Sequence, residues 1–469
     1  MPDSAAVVQQ ELFVFLSIRS GDRLRACSGI KGVNDLYALA VTLGVFALVL
    51  IMARFKVPLA AALFAGAVIL GPLFGLGFGC TVRAVLSGAI QPNTIALIVL
   101  TVLLLALSHT MQSAGQMERM VSLARAMLRR PAVAMAALPA LIGLLPMPGG
   151  ALFSAPMVRT ASGDTRLPGG LLSAVNYWFR HIWEHWWPLY PGVILAMTLT
   201  QSRLDVFIVH QIPLGISMAL AGLLIFRGAH PDLRAAGPPA EPGTKRKLLR
   251  ATSSIWIILL AWGAAAAALK LIGSGAASSV AGSVLERYAP ITLGLIVALI
   301  WTIAINGMGK SGLTKAFARR SPYDMAILVL SVMIFRHMLE ATDAAPRIAA
   351  ELTALRVPLV LVVTALPLVA GLVTGLAVGF VGTSFPIVLA LAATVASGDA
   401  GLRPYIALAY AFGHLGQMLS PLHLCHIVSN RYFETGYAQV YRRIIPSVAI
   451  TAVLAAAYFL FLSRLYGGG

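Results

Sequence analysis

The chain has 469 residues, 59% hydrophobic and only 11% charged, with a mean hydropathy of +0.85. That composition excludes a soluble globule with a polar surface and predicts an all-α polytopic membrane protein. The net charge of +18 does not call for nucleic acid, because the Lys and Arg sit in short loops beside apolar spans, where they read as topology signals.

Residues 1–35 form a leader; its one apolar run, Leu12 to Ile18, is too short for a secretory signal and is followed by Arg19, Asp22, Arg23 and Arg25. A bilayer-crossing helix needs about 20 apolar residues. Windows of that kind lie near Leu36 to Met52, Pro58 to Phe78, Ile95 to Met111, Leu171 to Leu199 and Leu204 to Phe226. Gln116 to Arg130 sets Arg119, Met120, Leu123, Met127 and Arg130 at helical spacing, the pattern of an amphipathic interfacial helix. Arg227 to Ser254 carries Gly237-Pro238-Pro239 and the run Lys245-Arg246-Lys247, and reads as a linker, a simple tether or a dock for anionic lipid. Further windows follow near Ile255 to Ile272, Pro290 to Ile305, Met325 to Leu339, Tyr405 to Val428 and Ile445 to Leu462. Cys27, Cys80 and Cys425 are dispersed and suggest neither a disulfide framework nor a zinc knuckle.

Two apolar segments are broken by proline and glycine. Residues 131–158 contain Leu145-Pro146-Met147-Pro148-Gly149-Gly150, then Ser154 and Pro156. Residues 358–388 contain Gly371, Gly375, Gly379 and Gly382-Thr383-Ser384-Phe385-Pro386. The segments correspond: His109 pairs with His337 and Gly143 with Gly371 at an offset of 228, Ser154 with Ser384 at 230, and Tyr177 with Tyr410 and His181 with His414 at 233. Rare residues falling in one order mark an internal repeat. Repeat 1 covers 36–226 with its hairpin at 131–158, a linker covers 227–254, and repeat 2 covers 255–469 with its hairpin at 358–388.

Five spans plus one hairpin per half is an odd number of crossings, so the second repeat is expected to be inverted. Lys/Arg counting agrees: segments assigned to the inside carry 21, and outside loops after the leader about seven. The four basic residues of the leader are the discordant piece. The linker is then cytoplasmic.

Paired interrupted segments at membrane depth mark a substrate site between repeats. Pro146, Pro148 and Pro156 remove amide donors, while Gly149 and Gly150 permit non-helical turns, so the first tip exposes backbone to something polar. Helix N-termini at such breaks suit an anion. The expected substrate-binding residues are Pro146, Met147, Pro148, Gly149, Gly150, Ser154, Asn176, Gly382, Thr383, Ser384, Gln417 and Ser420.

The run from Leu144 to Val158 closely resembles the signature of an uncharacterised family of prokaryotic integral membrane proteins in the ion transporter superfamily, which also includes gluconate, citrate, dicarboxylate and TRAP large-subunit carriers. The resemblance implies an inverted-repeat carrier with two re-entrant hairpins and two unwound helices around a central site. It further implies a homodimer in the prokaryotic inner membrane that moves a transport domain in elevator fashion. The Ser-Asn-Thr motifs that hold sodium in the dicarboxylate symporters are absent from both tips. Sodium coupling is therefore not carried over.

Ionisable groups within the membrane are costly and point to function. Histidine titrates near neutrality, which suits proton coupling. The candidates are His181, Glu184, His185, His337 and His414; each histidine could equally bridge helices. Asn176 to Gly192 and its counterpart Ala409 to His423 read as unwound helices beside the site. Arg180 is one turn from Glu184, which could neutralise it or form a relay with His185.

The expected function is secondary transport of a small anion, an organic acid, driven by protons or by exchange, with no cofactor, no metal, no nucleic-acid partner and no enzymatic step. The alternatives are a cation/proton antiporter, which lacks an intramembrane Asp cluster, and an intramembrane metalloenzyme using His181, Glu184 and His185 in the H-x-x-E-H pattern.

Overall fold

The computed structural model describes residues 37–128, 130–144, 150–163, 167–228, 242–272, 280–396 and 398–466. The leader, Leu145 to Gly149 of the first tip, and residues 229–241 of the linker lie outside the described residues. All regular structure within them is helical.

In chain order, α1 (Tyr37–Arg54), α2 (Leu59–Leu73), α3 (Phe78–Ile90), α4 (Pro92–Ser113) and α5 (Gln116–Met127) lead to the first hairpin, α6 (Pro131–Gly143) and α7 (Ala151–Ala161). Then come α8 (Gly169–Arg180), α9 (Pro191–Leu199) and α10 (Leu204–Gly222) with a short 3-10 turn, Leu223–Phe226. The second half holds α11 (Thr244–Ala251), α12 (Ser253–Ile272), α13 (Val280–Ile305), α14 (Gly309–Phe317), α15 (Ser321–Ala341) and α16 (Ala344–Ala354). The second hairpin, α17 (Leu359–Thr374) and α18 (Ala377–Ala392), is followed by α19 (Gly398–Leu419), α20 (Leu424–Tyr432) and α21 (Tyr437–Tyr466).

The protein is an all-α polytopic membrane protein. Among the described residues, five helices are long and apolar enough to cross a bilayer, or seven if two bent pairs each count as one span. The hairpin helices are different: α6 has 13 residues and α17 and α18 have 16 each. At ~1.5 Å per residue they reach only ~20–24 Å, short of a ~30 Å hydrocarbon core. Leu260, Leu271, Leu285, Ile300 and Val453 on α12, α13 and α21 are exposed and suited to lipid.

Two helices are interrupted. α8 stops at Arg180, residues 181–190 turn irregularly, and α9 restarts with Pro191 in its first turn, where a missing amide costs nothing. α19 stops at Leu419, ahead of Pro421, and α20 restarts at Leu424. α9 is buried along its whole length and α8 from Gly170 onward, so the first break lies at the centre of the bundle.

The partnering of these pieces occurs twice. α8 packs on α6 and α7, and α19 on α17 and α18; the restarted helices cross over, α9 onto α18 and α20 onto α7. Equivalent glycines make the first contact possible. A Cβ on Gly143 would collide with the Arg180 carbonyl oxygen, and one on Gly371 with the Gly413 carbonyl oxygen. Backbone therefore lies against backbone at both places.

The basic run of the linker is not a plain tether: Lys245-Arg246-Lys247 lies in α11, which packs on α5 and bends 58° into α12. α5 is the amphipathic helix its spacing predicts, burying Met117, Met120, Val121 and Ala124. Cys425 is a buried free thiol.

Candidate functional site

The two breaks meet. The Tyr410 hydroxyl donates to the Glu184 carbonyl oxygen at 2.8 Å, and Gln417 Nε2 donates to Glu184 Oε2 at 2.7 Å. From the other side, the Tyr177 hydroxyl donates to the carbonyls of Gln417 and Met418. These bonds satisfy some of the backbone and side-chain polar groups that the interruptions expose, which a lipid-surrounded protein must do internally.

Histidines fill the junction. His181 and His423 rings are 4.6 Å apart, and His185 and His414 rings 4.4 Å apart. Tyr177 stacks on His426 at 4.5 Å and presents its edge to His181 and His423. His181 Nδ1 lies 2.6 Å from the Tyr177 carbonyl, so that nitrogen donates and Nε2 faces Glu184 Oε1 at 3.7 Å. Neither ring nitrogen of His185 or His414 has a hydrogen-bond partner among the described residues, and both side chains are buried. Two buried imidazoles without protein partners cost stability, and such groups mark function.

Each hairpin tip touches a break. A Cβ on Gly150 would stand 2.6 Å from Arg180 Nη1, so the chain at the first tip lies directly on the guanidinium. Gly375 ends α17 at φ +63°, a left-handed conformation that favours glycine, and its Cα faces the His423 backbone and Ser420 Oγ. The aromatic residues of the first break serve the structure of the hairpin. Trp183 and Trp187 donate to the Ala140 and Leu144 carbonyls at 2.7 and 2.9 Å, and the Tyr190 hydroxyl donates to the Gly143 carbonyl. They satisfy the last carbonyls of α6, which have no helical partner.

Of the expected substrate-binding residues, Pro146, Met147, Pro148 and Gly149 fall outside the described residues, and Gly150, Asn176, Gln417 and Ser420 stand at the junction. Asn176 Nδ2 bonds Ser429 Oγ at 2.8 Å and the Ala151 carbonyl at 3.3 Å, tying α8 to α20 and to the start of α7. Ser154 turns its hydroxyl back to the Gly150 carbonyl at 3.4 Å. Gly382, Thr383 and Ser384 do not form the second tip. They lie inside α18, Thr383 and Ser384 donating to Gly379 and Phe380 carbonyls at 2.8 and 2.6 Å, because the helix begins at Ala377 and their hydroxyls return to its own backbone. Gly382 lets α18 approach Val332 of α15.

The proton-coupling candidates divide as well. His181, Glu184, His185 and His414 gather at the junction, whereas His337 is held by Ser87 Oγ at 2.9 Å and Gln91 Nε2 at 2.8 Å, in the packing of α15 on α3. His337 is a helix bridge. Glu184 faces His181 and Gln417, and His185 faces His414, so the H-x-x-E-H residues do not converge. Among the described residues, the group placed to hold a metal is His181, His423 and Cys425, whose ligand atoms all lie within 4.8 Å of one another.

The family described as "Protein of unknown function (DUF401)" matches residues 37–237 and 277–462. The chain belongs to the DUF401 family. No curated protein matches it. Among solved structures, it is similar to the crystal structure of the YdaH transporter of Alcanivorax borkumensis, described as having an unusual topology, with 17% identity and a TM-score of 0.42 over 92% of this chain and 98% of that one.

For this DUF401 chain, sequence reasoning passed over Cys425 and left His423 outside the site. The signal was present: His423-Leu424-Cys425 follows Ser420-Pro421 after a single residue, so two metal-type side chains emerge from one helix restart. What was missing was their partner, His181, 242 residues earlier in the chain.

Proposed function

We propose that the protein is a secondary active transporter of a small anion, an organic acid carrying a carboxylate, coupled to protons or working by exchange. The observation that carries this reading is the meeting of two interrupted helices, one from each half, at a buried cluster of ionisable side chains with a hairpin tip on each break. Such a junction has a use in transport: the two hairpins can open alternately to either side while the broken helices hold the solute. The anion would lie between the Arg180 guanidinium at Gly150 and the amides at the start of α7, where partial positive charge gathers. The His185–His414 pair is the proton carrier that geometry favours, since two adjacent imidazoles that share no hydrogen-bond partner can take up one proton between them. An inverted arrangement of repeats 36–226 and 255–469, a cytoplasmic linker, a homodimer and elevator-type movement in the prokaryotic inner membrane complete the proposal.

The test is a binding and flux pair. Purified protein is screened by thermal shift against carboxylates and inorganic anions at several pH values, because a ligand that binds the folded state raises its apparent stability. The best ligand is then followed into proteoliposomes. Uptake that collapses when the proton gradient or the internal exchange anion is removed supports the proposal; absence of any anion-induced shift, or flux of cations alone, overturns it.

A further inference from the structure

We propose that His181, His423 and Cys425 form a binding site for a monovalent thiophilic metal cation, of which cuprous copper is the biological example. His181 comes from the end of α8, His423 from the residue that caps α20, and Cys425 from the first turn of α20. All three are buried, and their ligand atoms lie within 4.8 Å of one another. In a bound site, metal–nitrogen and metal–sulfur distances of about 2.0 and 2.3 Å put neighbouring ligand atoms about 3.5 Å apart, so the closure needed is about 1 Å. Side-chain rotation at a helix restart supplies that.

The orientation of the rings is the second observation. Metal-bound imidazoles nearly always anchor their other nitrogen on a carbonyl or carboxylate. His181 Nδ1 is anchored on the Tyr177 carbonyl at 2.6 Å, and His423 Nδ1 faces the Gln417 carbonyl at 3.4 Å. Both anchoring carbonyls belong to the same pair of interrupted helices, which leaves each Nε2 on the side away from them; His181 Nε2 also faces Glu184 Oε1 at 3.7 Å. Tyr177, packed edge-on against both rings, fixes their planes.

Charge chooses the ion. A thiolate and two imidazoles suit cuprous copper and zinc alike. Arg180 stands beside Cys425 and Glu184 faces His181 Nε2 at 3.7 Å, so their opposite charges cancel in the sum over the cluster. With Cys425 as thiolate, a monovalent cation leaves the buried group neutral, whereas zinc leaves a net positive charge next to a guanidinium in a low-dielectric core. The monovalent ion therefore fits and the divalent one is disfavoured.

Metal capture at this cluster is read on binding alone. Full-length protein, purified in detergent under anaerobic reducing conditions, is titrated with cuprous ion against the chromophoric chelator bicinchoninate, and separately with zinc. The expected result is one cuprous ion held per chain, an absorption-edge spectrum with one sulfur and two nitrogen neighbours, and a copper-induced rise in thermal stability. C425S should abolish retention and H423Q should weaken it at least tenfold, with both variants remaining monodisperse. If H423Q fails to fold, H181Q replaces it. Loss of all copper to the chelator, equal retention by folded C425S, or retention of zinc in preference to copper would overturn the assignment.

Discussion

Replacing Gly371 by alanine tests the close packing on which the site rests. The new Cβ would overlap the Gly413 carbonyl oxygen and lie 2.7 Å from the Gln417 amide nitrogen and 3.1 Å from the Gly416 carbonyl carbon. Carbon contacts relax at about 3.5–4.0 Å, so α19 must retreat from α17 by about 1 Å. All three obstacles are backbone, which cannot rotate aside, placing the cost at the upper end of overpacking, about 3 kcal/mol. Alanine's better helix propensity returns about 1 kcal/mol, leaving a net loss of about 2 kcal/mol. Gly44→Ala is the control, because no atom lies within 4 Å of its added methyl group; only the propensity gain remains. Thermal unfolding in detergent, followed by tryptophan fluorescence, should rank Gly44→Ala at or above wild type and Gly371→Ala well below it. Gly143→Ala, facing the Arg180 carbonyl, should fall with Gly371→Ala. A Gly371→Ala protein as stable as Gly44→Ala would refute the packing argument.

Three further outcomes follow from the junction. Ser384→Ala and Thr383→Val remove hydroxyls bonded to their own helix, so stability should change by less than about 1 kcal/mol and anion-induced thermal shifts should persist; their loss would return these hydroxyls to the binding surface. Tyr410→Phe deletes the 2.8 Å bond to the Glu184 carbonyl and should cost about 1–2 kcal/mol in thermal or denaturant unfolding. The third concerns pH. If protonation of the His185–His414 pair accompanies anion binding, affinity should rise as pH falls. His414→Gln should flatten that dependence, and His337→Gln should leave it intact while lowering stability through its lost bonds to Ser87 and Gln91. A profile that flattens only in His337→Gln would move proton coupling to α15.

Hydropathy and proline/glycine placement determined that this chain spans a membrane by helices, and located two hairpins and two interrupted helices. They could do so because apolar run length and the loss of amide donors act locally, within one segment. Gly143 and Gly371 were likewise legible as a matched pair, although what they do, admitting a neighbouring backbone, was not. The tip of the second hairpin was misplaced for a physical reason: glycine in a tightly packed helix, as at Gly382, looks in sequence like glycine at a turn, as at Gly375. Only the tertiary structure could separate His337 from His414, since both are histidines in apolar helices and differ in what stands opposite them. It alone brought His181 beside His423 and Cys425. Ligand sets drawn from distant segments depend on how the two broken helices pack, and that packing is long-range.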